Sequence, residues 1–128
     1  MRPYASRPGG SQPWEYLPAE GGVQYKVGMA LKMEDGRLSP ATGADKPQYL
    51  CMFEGQVAEA GNTIPVMMIC EDQKLSADLS VDGKTLSVGD KVTISADGMD
   101  ATATTGGALE ILAINGTDVG DEIIVRVV

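Results

Sequence analysis

The chain contains no histidine. That removes nucleophilic catalysis through an imidazole base, histidine-ligated zinc and the commonest acid–base group at neutral pH. Two cysteines, Cys51 and Cys70, form no CxxC pair and cannot alone complete a structural zinc site. No GxxxxGK[ST] or GxGxxG sequence cradles a phosphate. No apolar run approaches the roughly 18 residues of a membrane span, and the N-terminus has no apolar h-region, so neither membrane insertion nor secretion is expected. Aromatics make up only 5% of the 128 residues, with one Phe and one Trp, so a core has to come from Val, Ile, Leu, Met and Ala.

What remains is acidic and rich in glycine. The formal charge is −8, and because Arg2 and Arg7 balance Glu15 and Glu20, all of it lies beyond residue 22. Such a body repels phosphate backbones, so direct binding to nucleic acid is not expected. Three carboxylate groupings could be tested for acid–base work: Asp97 with Asp100, Asp118 with Asp121 and Glu122, and Glu71 with Asp72. All fall in turns or strand ends, where solvated acids are ordinary, and none forms a DxDxDG calcium loop. No catalytic residue, cofactor or metal is expected, and the chain does not read as an enzyme. The two cysteines lie in the apolar stretches LCMF and MMIC and read as buried free thiols.

Sixteen glycines and frequent Asp-Gly and Asn-Gly steps indicate an all-β chain of short antiparallel strands, a small β-barrel or a β-sandwich. QYLCMFEG (48–55) and TIPVMMIC (63–70) are nearly continuous apolar runs of strand length, and Pro65 is expected to confine the second to an edge or a bulge. Hairpins are expected around Asp35-Gly36, Asp97-Gly98 and Asn115-Gly116. A Val-Gly step opens three segments, at Val27-Gly28, Val88-Gly89 and Val119-Gly120, where glycine lets the chain turn sharply into a strand. The methionines Met52, Met67 and Met68 read as core filling.

Residues 1–22 differ from the body at 23–128. Pro3, Pro8, Pro13 and Pro18 stand five residues apart, and Tyr4, Trp14 and Tyr16 are half of the chain's aromatics. Proline excludes a helix and makes a poor central strand, so an extended N-terminal arm is expected. A solvated tail has no use for side chains that bury large areas. Either the arm orders on another protein or it folds back over its own domain. The aromatic content favours the first, with Arg2, Tyr4, Arg7, Trp14 and Tyr16 as the partner-binding residues.

The body resembles a known family. The segments VGMALKMEDGRLSPATG, DKPQYLCMFEG and TIPVMMIC, followed by LSVGDKVTISADGMDATATTGGALEILAINGTDVGDEIIVRVV, are similar to the capsid decoration (head cement) proteins of tailed bacteriophages. The likeness covers residues 23–128 and excludes the arm. It implies a β-rich knob on the outer capsid surface of the virion, made in the host cytoplasm. It further implies binding to the major capsid protein and to itself as a homotrimer, with no chemistry of its own. The alternatives are another virion structural module (tail, head-completion or adhesive β-domain) or a cellular β-barrel that binds a ligand.

Overall fold

The computed structural model describes residues 1–5, 14–70 and 73–128. Among the described residues there are eleven strands: β1 (Arg2–Ala5), β2 (Trp14–Pro18), β3 (Ala30–Glu34), β4 (Arg37–Pro40), β5 (Tyr49–Cys51), β6 (Thr63–Met68), β7 (Lys74–Asp78), β8 (Lys91–Ile94), β9 (Ala101–Thr105), β10 (Leu109–Ile114) and β11 (Glu122–Val127). No helix occurs among the described residues, and none is long and apolar enough to cross a membrane. The strands form two antiparallel sheets, one ordered β1-β7-β11-β10-β8-β9 and the other β2-β6-β5-β3-β4.

The sheets share a core without closing into a barrel. Ala30 and Leu50 of the five-stranded sheet join Leu75, Ala77, Val92, Leu109, Ile111, Ile123 and Val125 of the six-stranded sheet in one buried cluster. The opposite face of the smaller sheet curls around a second cluster that includes Leu31, Leu38, Cys51, Ile64 and Val66. Among the described residues its two edges meet at the bridge between Ala19 and Leu38, where the Glu20 N–H also donates to the Leu38 carbonyl at 2.9 Å. Pro18 ends β2 and Pro40 ends β4, each withholding a donor where a closing ladder would continue. The sandwich expectation therefore fits and the barrel alternative does not. Tyr25 plugs the curl, fully buried, its hydroxyl donating to the Glu20 carbonyl at 2.7 Å. Burial pushes that phenol up to about 12.

Residues 1–22 supply one edge strand to each sheet. Met1 lies in the shared core, and Ala19 with the half-buried Leu17 lies in the second. β1 has a register irregularity between Pro3 and Ala5, as suits an edge. With β2 in place, β6 becomes an interior strand, so Pro65 is not at an edge. The Pro65 carbonyl accepts from the Met52 N–H at 3.0 Å, so its backbone faces the β5 side. β5 ends at Cys51, and the missing proline N–H falls just beyond that ladder. Met68 is 39% exposed, which departs from the core-filling expectation, whereas Met52 packs on the shared core. Both thiols are free; Cys51 is buried and Cys70 half-buried. Residues 56–62 form only bends and turns.

The three Val-Gly steps share one geometry. Gly28, Gly89 and Gly120 have φ of 89°, 96° and 89°, and the residue after each donates back three positions, Met29 to Lys26, Asp90 to Ser87 and Asp121 to Asp118. These are type II turns, with valine at the second position and glycine at the third. Each turn clamps one buried residue of a neighbouring segment. The Gly28 N–H donates to the Cys51 carbonyl, and the Cys51 N–H donates to the Met29 carbonyl. The same exchange joins Gly89 and Asp90 to Ile111, and Gly120 and Asp121 to Leu79. In the second and third turns the aspartate also accepts from the first residue's N–H, Ser87 at 2.9 Å and Asp118 at 3.0 Å. The Val-Gly-Asp signature is thus a backbone clamp with its own carboxylate cap.

Two substitutions separate backbone strain from crowding. A Cβ at Gly89 meets nothing within 4 Å, so Gly89→Ala should cost only the strain of a positive φ, about 1–2 kcal/mol. A Cβ at Gly107 would overlap the Val92 carbonyl, so Gly107→Ala must displace β8 and should cost clearly more. Urea denaturation midpoints of the two variants make the comparison. Equal losses would contradict the close approach of residue 107 to β8.

Candidate partner-binding surface

Cross-strand register places the tryptophan at the outer end of a row that leads into the core. Trp14 pairs with Met67, Met67 with Leu50, and Leu50 with Ala30. Residues directly opposite share a face, so all four project on one side. Along this row burial runs from complete at Ala30 and Leu50, through partial at Met67, to an indole 57% exposed. Tyr16, two residues on, pairs with Pro65, projects on the same side and is 65% exposed. Trp14, Tyr16, Pro65 and Met67 therefore form one apolar patch beyond the part of this face that the larger sheet covers.

Among the described residues, no strand pairs with the outer side of β2 beside Trp14 and Tyr16. The Pro65 carbonyl bonds toward β5, so by alternation the backbone groups of Ile64 and Val66 face β2, where they oppose Leu17 and Glu15. The N–H and C=O groups of Trp14 and Tyr16 consequently face away from β6, on the side where no described strand pairs with them. An edge of this kind can accept an added strand.

Of the other expected site residues, Tyr4 is 58% exposed but stands on β1, in the other sheet. Arg7 lies outside the described residues, as do Glu71 and Asp72. Arg2 is engaged within the chain: its Nη2 donates to Ser76 Oγ at 2.8 Å and to Asp78 Oδ1 at 3.0 Å, with Glu122 Oε2 at 3.7 Å. The contributions of Pro65 and Met67 to the patch, and of Ser76, Asp78 and Glu122 to Arg2, depend on long-range register that the sequence does not display. The three aromatics of residues 1–22 are each more than half exposed, while Tyr25 is buried and Tyr49 and Phe53 are half-buried on the second core.

The carboxylate groupings have local structural partners. Asp97 accepts from the Ser95 hydroxyl and the Met99 N–H, and these bonds hold its carboxyl below the usual range. Burial pushes Asp100 up, with Asp97 and Asp78 adding to the effect. Glu122 is held below its usual range first by the Ser76 hydroxyl, then by the Asn115 amide, with Arg2 adding a smaller electrostatic contribution. Among the described residues no group of three or more Cys, Asp or Glu is placed to hold a metal ion. No protein-family model and no curated protein matches this chain.

Because Glu122 is lowered on folding, its contribution to stability is present above the unfolded glutamate range and is lost as pH falls through the lowered folded value. Asp100 acts oppositely, its raised value favouring the fold only while it stays protonated. Thermal unfolding followed downward from neutral pH should therefore show a smaller acid-induced loss in Glu122→Gln than in the wild type. An unchanged acid limb would remove Glu122 from the account of acid stability.

Proposed function

We propose that the protein is a structural capsid decoration, or cement, protein that binds the outer surface of a tailed-phage head and stabilises contacts between capsomers. It has no catalytic role in this reading. The observation that carries the reading is the exposure of Tyr4, Trp14 and Tyr16, in a chain with only six aromatics, on strands whose backbones are already fixed. The likeness of residues 23–128 to the cement proteins supplies the partner, the major capsid protein. The segment 1–22 supplies the contact, through the Trp14–Tyr16 patch and the β2 edge beside it.

Magnitudes decide how such a contact works. An aromatic side chain of roughly 150–250 Å², a little over half exposed, can bury on the order of 100 Å² more, worth about 2–3 kcal/mol. The two rings of the patch then give roughly 4–6 kcal/mol, against about 4–15 kcal/mol for lost translational and rotational freedom. One copy is therefore a marginal binder. Two features offset the deficit. The described parts of residues 1–22 are already ordered, so docking avoids about 1–2 kcal/mol per residue of backbone entropy. Copies that also contact one another on a lattice gain avidity.

Point substitutions test this better than truncation, because removing residues 1–22 would delete two strands and parts of both cores. Trp14→Ala with Tyr16→Ala should leave the unfolding midpoint nearly unchanged and cut capsid binding by at least roughly 30-fold, as for two interface anchors. Co-sedimentation of the purified variant with heads lacking the protein measures it. Wild-type occupancy by the double variant would remove the patch from the interface.

A further inference from the structure

We propose that the β1-binding edge of the body is also a docking site for β1 of a second copy of this chain, so that protomers exchange their first strands. The acceptor is built from three kinds of contact. The Met1 side chain is buried in the shared core, its amine donating to the carbonyls of Gly28 at 2.7 Å and Met99 at 3.2 Å. Gly28 is tightly approached there: a Cβ on it would lie 2.7 Å from the Met1 carbonyl oxygen. Arg2 enters a cluster of Ser76, Asp78 and Glu122, in which the Ser76 hydroxyl itself donates to Glu122. β7 completes the acceptor with its ladder, Arg2 opposite Ser76 and Pro3 opposite Leu75.

Charge and chain length identify the occupant. The acceptor is acidic and the body carries the whole −8, while the strand it holds brings the Arg2 guanidinium. A second copy offers the same strand and the same acceptor, which is the self-complementarity that exchange requires. Eight residues, 6–13, separate β1 from β2 and span up to about 27 Å when extended. β1 can thus leave its own β7 and reach a neighbour's while β2 stays in the smaller sheet. Nearly all contacts made in one protomer are remade in the other, so the free-energy difference is small and local concentration decides the outcome. The exchange gives a reciprocal pair, distinct from the homotrimer that the resemblance implies, and it gives Arg2 a partner role that its bonds within the chain do not reveal.

A charge-swap pair tests it on purified protein without capsids. In Arg2→Glu the strand is repelled by its own Asp78, and in Asp78→Arg the acceptor repels its own Arg2. In an equimolar mixture, exchange between the two variants makes only matched pairs. The reversed strand of the first variant meets the reversed acceptor of the second, and the unchanged Arg2 of the second meets the unchanged Asp78 of the first. Exchange predicts that each variant alone is monomeric with fast amide exchange at residues 2–5. The mixture should form a one-to-one heterodimer by light scattering, with protection at residues 2–5 rising roughly tenfold. Slow exchange in the β10–β11 hairpin shows that each variant's body is folded. A mixture that stays monomeric, with residues 2–5 no better protected than in the separate variants, overturns strand exchange. Neither result depends on capsid binding by Trp14 and Tyr16.

Discussion

Backbone pairing of β1 and of residues 14–19 is the constraint on which the rest of the described structure depends. β1 covers an edge of the six-stranded sheet and β2 covers an edge of the five-stranded sheet. Without them, β7 and β6 would present long unpaired edges, and both cores would lose side chains, Met1 from one and Ala19 from the other. The pairing also explains the placement of proline. Pro3 and Pro18 are tolerated because their strands lie at edges, and Pro65 is tolerated inside a sheet because β5 stops one residue short of it.

The same pairing separates backbone from side chain. The backbone of residues 14–18 is held inward by β6, but alternation turns Trp14 and Tyr16 onto the part of the shared face that the larger sheet does not reach. A segment can therefore be part of its own domain and still hold the chain's principal exposed aromatic surface. The two readings of residues 1–22, self-cover and docking, are compatible once each is assigned to different atoms.

Turn chemistry was the most legible part of the sequence. Asp35-Gly36 closes the β3–β4 hairpin with both residues at positive φ, and all three Val-Gly steps are type II turns leading into strands. These signals are local, fixed by which residues accept a positive φ. Sheet order was not legible, because it depends on pairings such as Arg2 with Ser76, 74 positions apart, which leave no local pattern. The number of prolines in residues 1–22 concealed their strands, since a proline count does not distinguish an edge strand from a free tail. A partner-binding role for Trp14 and Tyr16 was expected from their type and location, whereas their joining with Met67 and Pro65 follows from register alone. Charge balance separated residues 1–22 from the acidic body but could not reveal that Arg2 is bound by that body.

The central claim is that the outward face of β2 meets a neighbouring subunit. Cryo-electron microscopy of the native assembly tests it most directly, because one map gives the symmetry, the copy number and the path of residues 1–22. The account predicts copies at equivalent positions across a phage-head lattice, with Trp14 and Tyr16 packed against the shell. Copies confined to a few sites, or a lattice on which both rings face solvent, would contradict it.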